Sequence, residues 1–253
     1  MTTDKTLLID GDIFLYRAAL GTETHCSWED GEYTIDQNPE HAEAVFDGII
    51  TSFTERFKAH PIICLTDTSN WRKKLEPSYK SNRKDQRKPP MLPALKAYSE
   101  ANYDCDKRPG LEADDVIGIL MTSDKTIKGR KCVVTIDKDL LQIPGKHWNP
   151  DKQKMVVVEP EAGHRLHMLQ SIAGDPVDGY KGVPGIGMKR AAKILDGRGE
   201  DVGEWEAIVA AYDKAGLDAD HALTQARLAH ILDADHYDDS KEEPILWMPT
   251  TTT

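Results

Sequence analysis

The chain has 253 residues, 39% hydrophobic and 30% charged, with a formal net charge of -11, so one large domain or one domain with a smaller appendage is expected. No apolar run approaches the roughly 18 residues that cross a bilayer, and the N-terminus lacks the zones of a signal peptide, which excludes a membrane protein and gives an expected cytoplasmic location. Cys26, Cys64, Cys105 and Cys132 are scattered without a CxxC pair, so free buried thiols are expected rather than a zinc knuckle or a disulfide framework.

In chain order, Lys5 to Ile9 reads as a short apolar strand ending in Asp10-Gly11-Asp12, followed by a helix over Ile13 to Leu20. A hairpin turning at Glu29-Asp30-Gly31 and a long amphipathic helix after Pro39 come next, then a buried strand from Pro61 to Leu65 closed by Asp67. Trp71 to Pro93 is basic, carries four prolines and lacks a core pattern, which places it outside the sheet as a loop or arch. Tyr103 to Cys105 is a strand candidate, Leu111 to Met121 a helix, and Lys131 to Ile136 a buried strand ending in Asp137-Lys138-Asp139. After a hairpin from His147 to Val158, helices are expected over Glu161 to Ala173, Met188 to Leu195, Val202 to Ala215 and Asp220 to Leu232, with a polar tail beyond. Strands alternating with helices predict an α/β fold whose twisted, parallel-type sheet is flanked by helices.

The acidic total conceals two basic patches. Trp71 to Lys88 holds eight basic residues against two acidic ones, including Arg72, Lys73, Lys74, Lys80, Arg83 and Lys84. A second cluster, with Lys181, Lys189, Arg190, Lys193 and Arg198, sits around a glycine-rich turn, and the acidic excess concentrates between Glu200 and Glu243. Either patch alone reads equally well as a solvated face.

Ligands of open α/β sheets bind beyond the carboxyl ends of the strands. Asp10 and Asp12, Asp67, and Asp137 and Asp139 stand at three such ends; Glu112, Asp114 and Asp115 open a helix; Asp175 and Asp178 complete ten carboxylates. Any one of them could be an ordinary helix cap. Ten converging on one crevice would repel one another unless a multivalent cation intervened, and all-oxygen ligation suits Mg²⁺ or Mn²⁺ rather than zinc. Two such ions are the usual apparatus of phosphodiester hydrolysis. His164 and His167 have no third partner in the sequence and read as non-catalytic.

Gly182-Val183-Pro184-Gly185-Ile186-Gly187, followed by Met188-Lys189-Arg190, sets a tight turn before a helix N-terminus. Lying between helical segments with no preceding strand, it reads as a helix-hairpin-helix type of DNA-backbone contact through Gly182, Gly185, Gly187, Lys189 and Arg190, rather than a dinucleotide site.

The sequence resembles the 5′ nuclease family of phage 5′–3′ exonucleases, flap endonucleases and the 5′ nuclease domain of bacterial DNA polymerase I, which shares a PIN-like sheet. The matching strings are Leu8-Ile9-Asp10-Gly11-Asp12, Asp67, Tyr79-Lys80-Ser81-Asn82-Arg83, Gly110-Leu111-Glu112-Ala113-Asp114-Asp115, Asp137-Lys138-Asp139, Gly174-Asp175-Pro176-Val177-Asp178 and the glycine turn, in family order. The resemblance implies that Asp10, Asp67, Glu112, Asp114 and Asp115 surround one metal while Asp137, Asp139, Asp175 and Asp178 reach toward another, with Asp12 of lower rank. It further implies that Lys80 and Arg83 stabilise charge on the scissile phosphate, that Tyr79 stacks on a nucleobase and that Val183 and Ile186 hold a K⁺ ion through main-chain carbonyls; Arg72, Lys73, Lys74 and Lys84 are expected to bind DNA because their basic segment lies beside the acidic cluster.

The expected organisation is a catalytic domain over residues 1–173 with a basic arch at 68–98, a helical DNA-binding region at 174–235 and a polar tail at 236–253. The expected function is a metal-dependent 5′ nuclease of phage replication or recombination, acting on duplex ends and 5′ flaps, with RNA–DNA hybrids left open as a substrate; the acidic C-terminal region reads first as a solvated helical face and second as a contact for a replication partner. A PIN-like ribonuclease and a catalytically silent DNA-binding protein are the rival readings. The first needs fewer carboxylates and no clamp, and the second leaves the carboxylates unexplained.

Overall fold

The structure, a computed structural model, describes residues 4–27 and 33–250. Strand β1 (Lys5–Asp10) turns at once into helix α1 (Gly11–Gly21). A ribbon of β2 (Thr24–Ser27) antiparallel to β3 (Tyr33–Asp36) follows; the tip expected at Glu29 to Gly31 lies outside the described residues. Helix α2 (Pro39–Phe57) starts where Pro39 supplies a preset φ and Asn38 accepts the His41 N–H at 3.1 Å. Then come β4 (His60–Cys64), a short α3 (Arg72–Leu75), a 3-10 turn at Ser81–Arg83, α4 (Leu92–Asn102) and β5 (Cys105–Asp106). Helix α5 (Ala113–Thr122) leads to β6 (Arg130–Val134), β7 (Gly145–Asn149) and β8 (Lys154–Val158). The remainder is α6 (Pro160–Ala173), α7 (Met188–Asp196), α8 (Glu204–Asp213), α9 (Ala219–Ala229) and a small hairpin of β9 (Tyr237–Asp238) with β10 (Glu243–Pro244).

The main sheet has the order β5-β4-β1-β6-β7-β8, all parallel except the antiparallel edge strand β8. Asp10 pairs with Cys64 and Ile9 with Val134, so the carboxyl ends of the three central strands finish level. The chain leaves β1 toward β4 on one side and β6 on the other, which opens a crevice at that end. Side-chain alternation divides the core: Leu7 and Ile9 pack with Phe14, Phe46 and Phe53 on one face, while Leu8 packs with Val116, Ile117 and Leu120 on the other. A third core, with Met168, Leu195, Ile208 and Tyr212, holds α6 to α9 together.

Three stretches depart from the sequence reading. The basic segment is not all loop: α3 lies inside it and α4 begins at its end, with Pro93 in the first helical turn and Leu95 and Ser99 buried. The last long helix stops at Ala229 rather than Leu232, because Arg72 takes the Leu228 and His230 carbonyls at 3.0 and 2.6 Å and Asp115 takes the Leu232 amide at 3.1 Å. The polar tail is an ordered strap in which Tyr237 and Trp247 are buried and Arg227 donates to the Trp247 carbonyl at 3.1 Å. All four cysteines are free, and no helix among the described residues is long and apolar enough to cross a membrane.

Candidate active site

The strand ends and the α6–α7 connection enclose a cavity of about 1220 Å³. Nine of the ten singled-out carboxylates line it: Asp10, Asp12, Asp67, Glu112, Asp114, Asp137, Asp139, Asp175 and Asp178. Tyr79, Lys80, Arg83, Lys73 and Lys84 line the same cavity, as do Val183, Gly185, Ile186 and Gly187 of the glycine turn. Residues from five separated stretches therefore meet where an open α/β sheet presents its ligand crevice.

Burial and mutual repulsion make the cluster unstable by itself. Asp10, with Oδ2 accepting the Thr135 hydroxyl at 2.9 Å, is pushed up to about 7, chiefly by burial, with the charges of Asp12 and Asp137 adding to it. Asp114 is driven well above the usual carboxylate range by burial and then by Asp10 and Asp137. Asp139, held by Gln170 Nε2 at 2.9 Å, rises to about 6 through burial and the charges of Asp137 and Asp175. Asp67 is the opposite case: the Ser69 hydroxyl and the Gly110 amide, 2.6 and 2.8 Å from Oδ2, hold it at about 2.

A second layer pairs charge with charge. Glu112 Oε2 accepts Arg72 Nη1 at 3.0 Å and the Tyr79 hydroxyl at 3.1 Å, while Lys80 Nζ pairs with its other oxygen. Burial alone would raise Glu112, but Lys80 and Arg72 overcome it and hold the carboxyl at about 2. Lys80 also reaches Asp178 at 3.3 Å, and Arg83 pairs with the same carboxylate. Asn82 Nδ2 donates to the Pro176 and Val177 carbonyls at 3.0 and 3.1 Å, which stitches the basic segment to the Asp175–Asp178 loop. Lys96 of α4 pairs with Asp12, whose Oδ2 accepts the Thr66 amide at 3.1 Å.

The structure corrects several assignments. Asp115 faces away from the cavity and is wholly buried; its oxygens accept Arg72 Nη1 and Nη2 at 2.7 and 2.8 Å, Trp71 Nε1 at 3.1 Å and the Leu232 amide. Absent from the cavity wall, it has no role as a metal ligand. Arg72, its partner, is 3% exposed with its guanidinium spent on two carboxylates and two carbonyls, so it is a structural cation rather than a DNA contact. Tyr79 is 2% exposed with its ring packed against Tyr180, Leu228 and Ala229, which removes it as a stacking surface and makes it an anchor for Glu112 and Asp178. Gly182 is buried rather than presented to a ligand: its φ is +58° and an added Cβ would collide with the Gly174 amide.

Gly185, by contrast, is exposed with φ +74° and open space around it. Lys74, Lys189 and Arg190 are exposed outside the cavity, and Arg190 Nη1 donates to the Gly185 carbonyl at 2.8 Å, bracing the turn. Helix α7 starts at Gly187 with no side-chain cap, so its first amides remain available to an anion. His164 pairs with Glu204 at 3.0 Å and the buried His167 shares a hydrogen bond of 2.8 Å with the Ala226 carbonyl, neither near the crevice. Sequence reasoning missed Thr135, Lys96, Gln170 and Tyr16, the last a 38% exposed ring on α1 at the cavity wall. A threonine just past a strand end and a tyrosine one turn beyond Asp12 were the only signals, and each is commonplace.

A parallel sheet with acidic strand ends, a basic segment alongside and an uncapped helix start in the same crevice defines the class of α/β nucleases. The chain belongs to the 5′–3′ exonuclease family: residues 5–164 match its N-terminal resolvase-like domain. It is 30% identical to the exodeoxyribonuclease of Enterobacteria phage T3, with 97% of this chain and 94% of that protein covered, and 29% identical to the exonuclease of Escherichia phage T7 over the same shares. Among solved structures it resembles the phage T5 D15 protein crystallised with metal ions, with a TM-score of 0.62, 16% identity and coverage of 89% of this chain and 88% of that one. It also resembles the catalytic core of Rad2 in complex with a DNA substrate, with a TM-score of 0.55, 13% identity and coverage of 85% and 66%.

Proposed function

We propose that this nuclease is metal-dependent and hydrolyses DNA phosphodiester bonds from the 5′ side of duplex ends and flaps. The observation that carries this reading is the convergence of nine carboxylates in one cavity with Lys80 and Arg83. The donor set fits hard divalent cations: every candidate ligand offers oxygen, and the raised Asp10 and Asp114 mark negative charge that the chain itself does not neutralise. Asp10, Asp67, Glu112 and Asp114 would hold one Mg²⁺ or Mn²⁺, and Asp137, Asp139, Asp175 and Asp178 would hold another. Two such ions, when bound, supply an activated water and neutralise the leaving oxygen.

The chain's own residues do the rest. Lys80 and Arg83 stand paired with Glu112 and Asp178 until a phosphate displaces those contacts, and their charge then faces the scissile group. Thr135 and Gln170 orient Asp10 and Asp139. The α7 start and Gly185 grip the duplex backbone without reading bases, with Lys189 and Arg190 adding charge beside them. The Val183 carbonyl already accepts the Ile186 amide at 3.0 Å and keeps a second lone pair, so a K⁺ ion held by Val183 and Ile186 is compatible with the turn. With Tyr79 buried, Tyr16 is the ring offered to a nucleobase.

Duplex binding in EDTA and cleavage in Mg²⁺, measured for wild type and Asp137→Ala, separate an enzyme from a silent binder. The proposal expects both proteins to bind and only wild type to cut. Binding by both with cleavage by neither supports the silent reading instead.

A further inference from the structure

Outside the cavity, one cluster of ligating side chains has no part in the chemistry above. Where α9 ends, the chain runs through His230, Asp233 and His236, and each of the three offers one ligand atom within 4.8 Å of the others. We propose that these residues form a second, separate metal site of the zinc type, which clamps the link between α9 and the C-terminal strap.

Three observations point to a ligand. His230 is only 8% exposed, and its Nδ1 is buried with no hydrogen-bond partner among the described residues, the kind of orphaned nitrogen that a metal ion satisfies. Asp233 receives the Asp235 amide at 2.9 Å, the His236 amide at 3.1 Å and His236 Nδ1 at 2.7 Å, all on Oδ1, and Oδ2 takes no hydrogen bond among the described residues. The rings of His230 and His236 lie edge to face with centroids 4.5 Å apart, so the two imidazoles stand side by side at this point of the chain.

Two imidazoles and one carboxylate are a borderline donor set that favours Zn²⁺, Co²⁺ or Ni²⁺ over Mg²⁺, the reverse of the all-oxygen cavity. Ligands about 2.1 Å from a tetrahedral ion stand about 3.4 Å apart, so the trio must close by little more than 1 Å. Rotation of the half-buried Asp233 and His236 side chains supplies that movement, and water completes the fourth position. Successive ligands stand three positions apart: His230 directly after α9, Asp233 in extended backbone capping the short turn Ala234–His236, and His236 as the last residue of that turn.

The ion would act on structure rather than on substrate. The carbonyl of His230 accepts Arg72 Nη2 at 2.6 Å, and Arg72 in turn holds Glu112 and Asp115. Fixing His230 therefore fixes the support beneath the catalytic carboxylates, and the turn that follows carries Tyr237 into the core shared with α5.

The test is a Co²⁺ titration of the whole protein in saturating Mg²⁺, followed by visible absorption and reversed with Zn²⁺. One equivalent with the intense bands of a four-coordinate nitrogen-containing site is expected in wild type, bleached by Zn²⁺. His236→Ala and Asp233→Asn are expected to weaken it roughly 100-fold or more, with Mg²⁺-dependent cleavage retained. Only the weak bands of all-oxygen coordination in wild type overturn the proposal, and so do variants that bind with unchanged affinity. The wild-type titration decides even where a variant does not fold, and because it reads binding, its failure leaves the nuclease reading untouched.

Discussion

At the scale of single residues, proton affinity is the clearest mark of the site. Asp10 and Asp139 bind protons up to about 7 and 6 in the fold but only near 3.8 when unfolded. A carboxyl raised in this way makes the folded state the better proton binder between those values, so stability falls as pH rises through that window. In EDTA the melting temperature is expected to drop between about pH 5 and pH 7.5, and saturating Mg²⁺ is expected to flatten the drop; an EDTA profile that climbs over this range contradicts the picture of an uncompensated cluster. Glu112 contributes in the opposite sense, but only below pH 4.5, where its depressed value lies. Arg72 and Asp115 make a different prediction. Asp115→Asn should cost stability, on the order of 3 kcal/mol by urea unfolding, because it leaves a buried guanidinium short of a partner charge. Lys80→Ala should slow cleavage about 100-fold or more under single-turnover conditions and should also cost stability, because the buried Glu112 loses one of its two partner cations. These residues also mark how far the sequence could be read. Nine carboxylates were legible, five because strand ends impose a common crevice and four, Glu112, Asp114, Asp175 and Asp178, from their spacing and motifs. Asp115 was not, because its neighbour Asp114 carries the same charge in the same motif, and only helix phase sends one side chain into the cavity and the other into the protein. Tyr79 and Arg72 misled for a related reason: a polar residue type in a basic segment gives no sign of burial until the segment is folded onto α5 and α9.

At the scale of elements, the strands and most helices followed from periodicity, since a two-residue alternation and a 3.6-residue stripe are local signals. Helix α4 was hidden by proline and lysine content, although Pro93 in its first turn is itself a start signal. The end of α9 was not local at all; it is set by the hydrogen bond that Arg72 donates to the His230 carbonyl and the one that Asp115 accepts from the Leu232 amide, each more than 110 residues away in sequence. The glycine turn behaves as two parts, a packed Gly182 and an open Gly185 followed by the uncapped α7 start. Gly185→Ala should therefore strain a left-handed backbone by about 1 kcal/mol and weaken duplex binding without changing its sequence preference. Replacing Lys189 and Arg190 together by glutamine should weaken all duplexes alike and reduce the magnitude of the logarithmic salt slope by roughly 1 to 2. A loss confined to particular sequences in either variant contradicts a backbone clamp.

At the scale of the whole molecule, the C-terminal strap links the two sides of the fold: Tyr237 enters the core with α5, while Trp247 packs against His167 and Trp205 of α6 and α8 at ring separations of 5.0 and 5.5 Å. The composition of the last residues, polar and threonine-rich, concealed that strap, because two aromatic residues suffice to anchor it. Trp247→Ala is expected to destabilise the protein by about 3 kcal/mol, measured by urea unfolding. The division of charge is also a property of the whole chain: an acidic protein presents lysines and arginines around one crevice that nine of its carboxylates line. The most direct test of that account is cleavage of a flap duplex labelled at its 5′ end or at its 3′ end, in Mg²⁺ and in EDTA. Short 5′-labelled products that appear only in Mg²⁺, with the 3′ label retained on long strands, are the predicted result. Cleavage that persists in EDTA, or shortening that begins at the 3′ end, would contradict it.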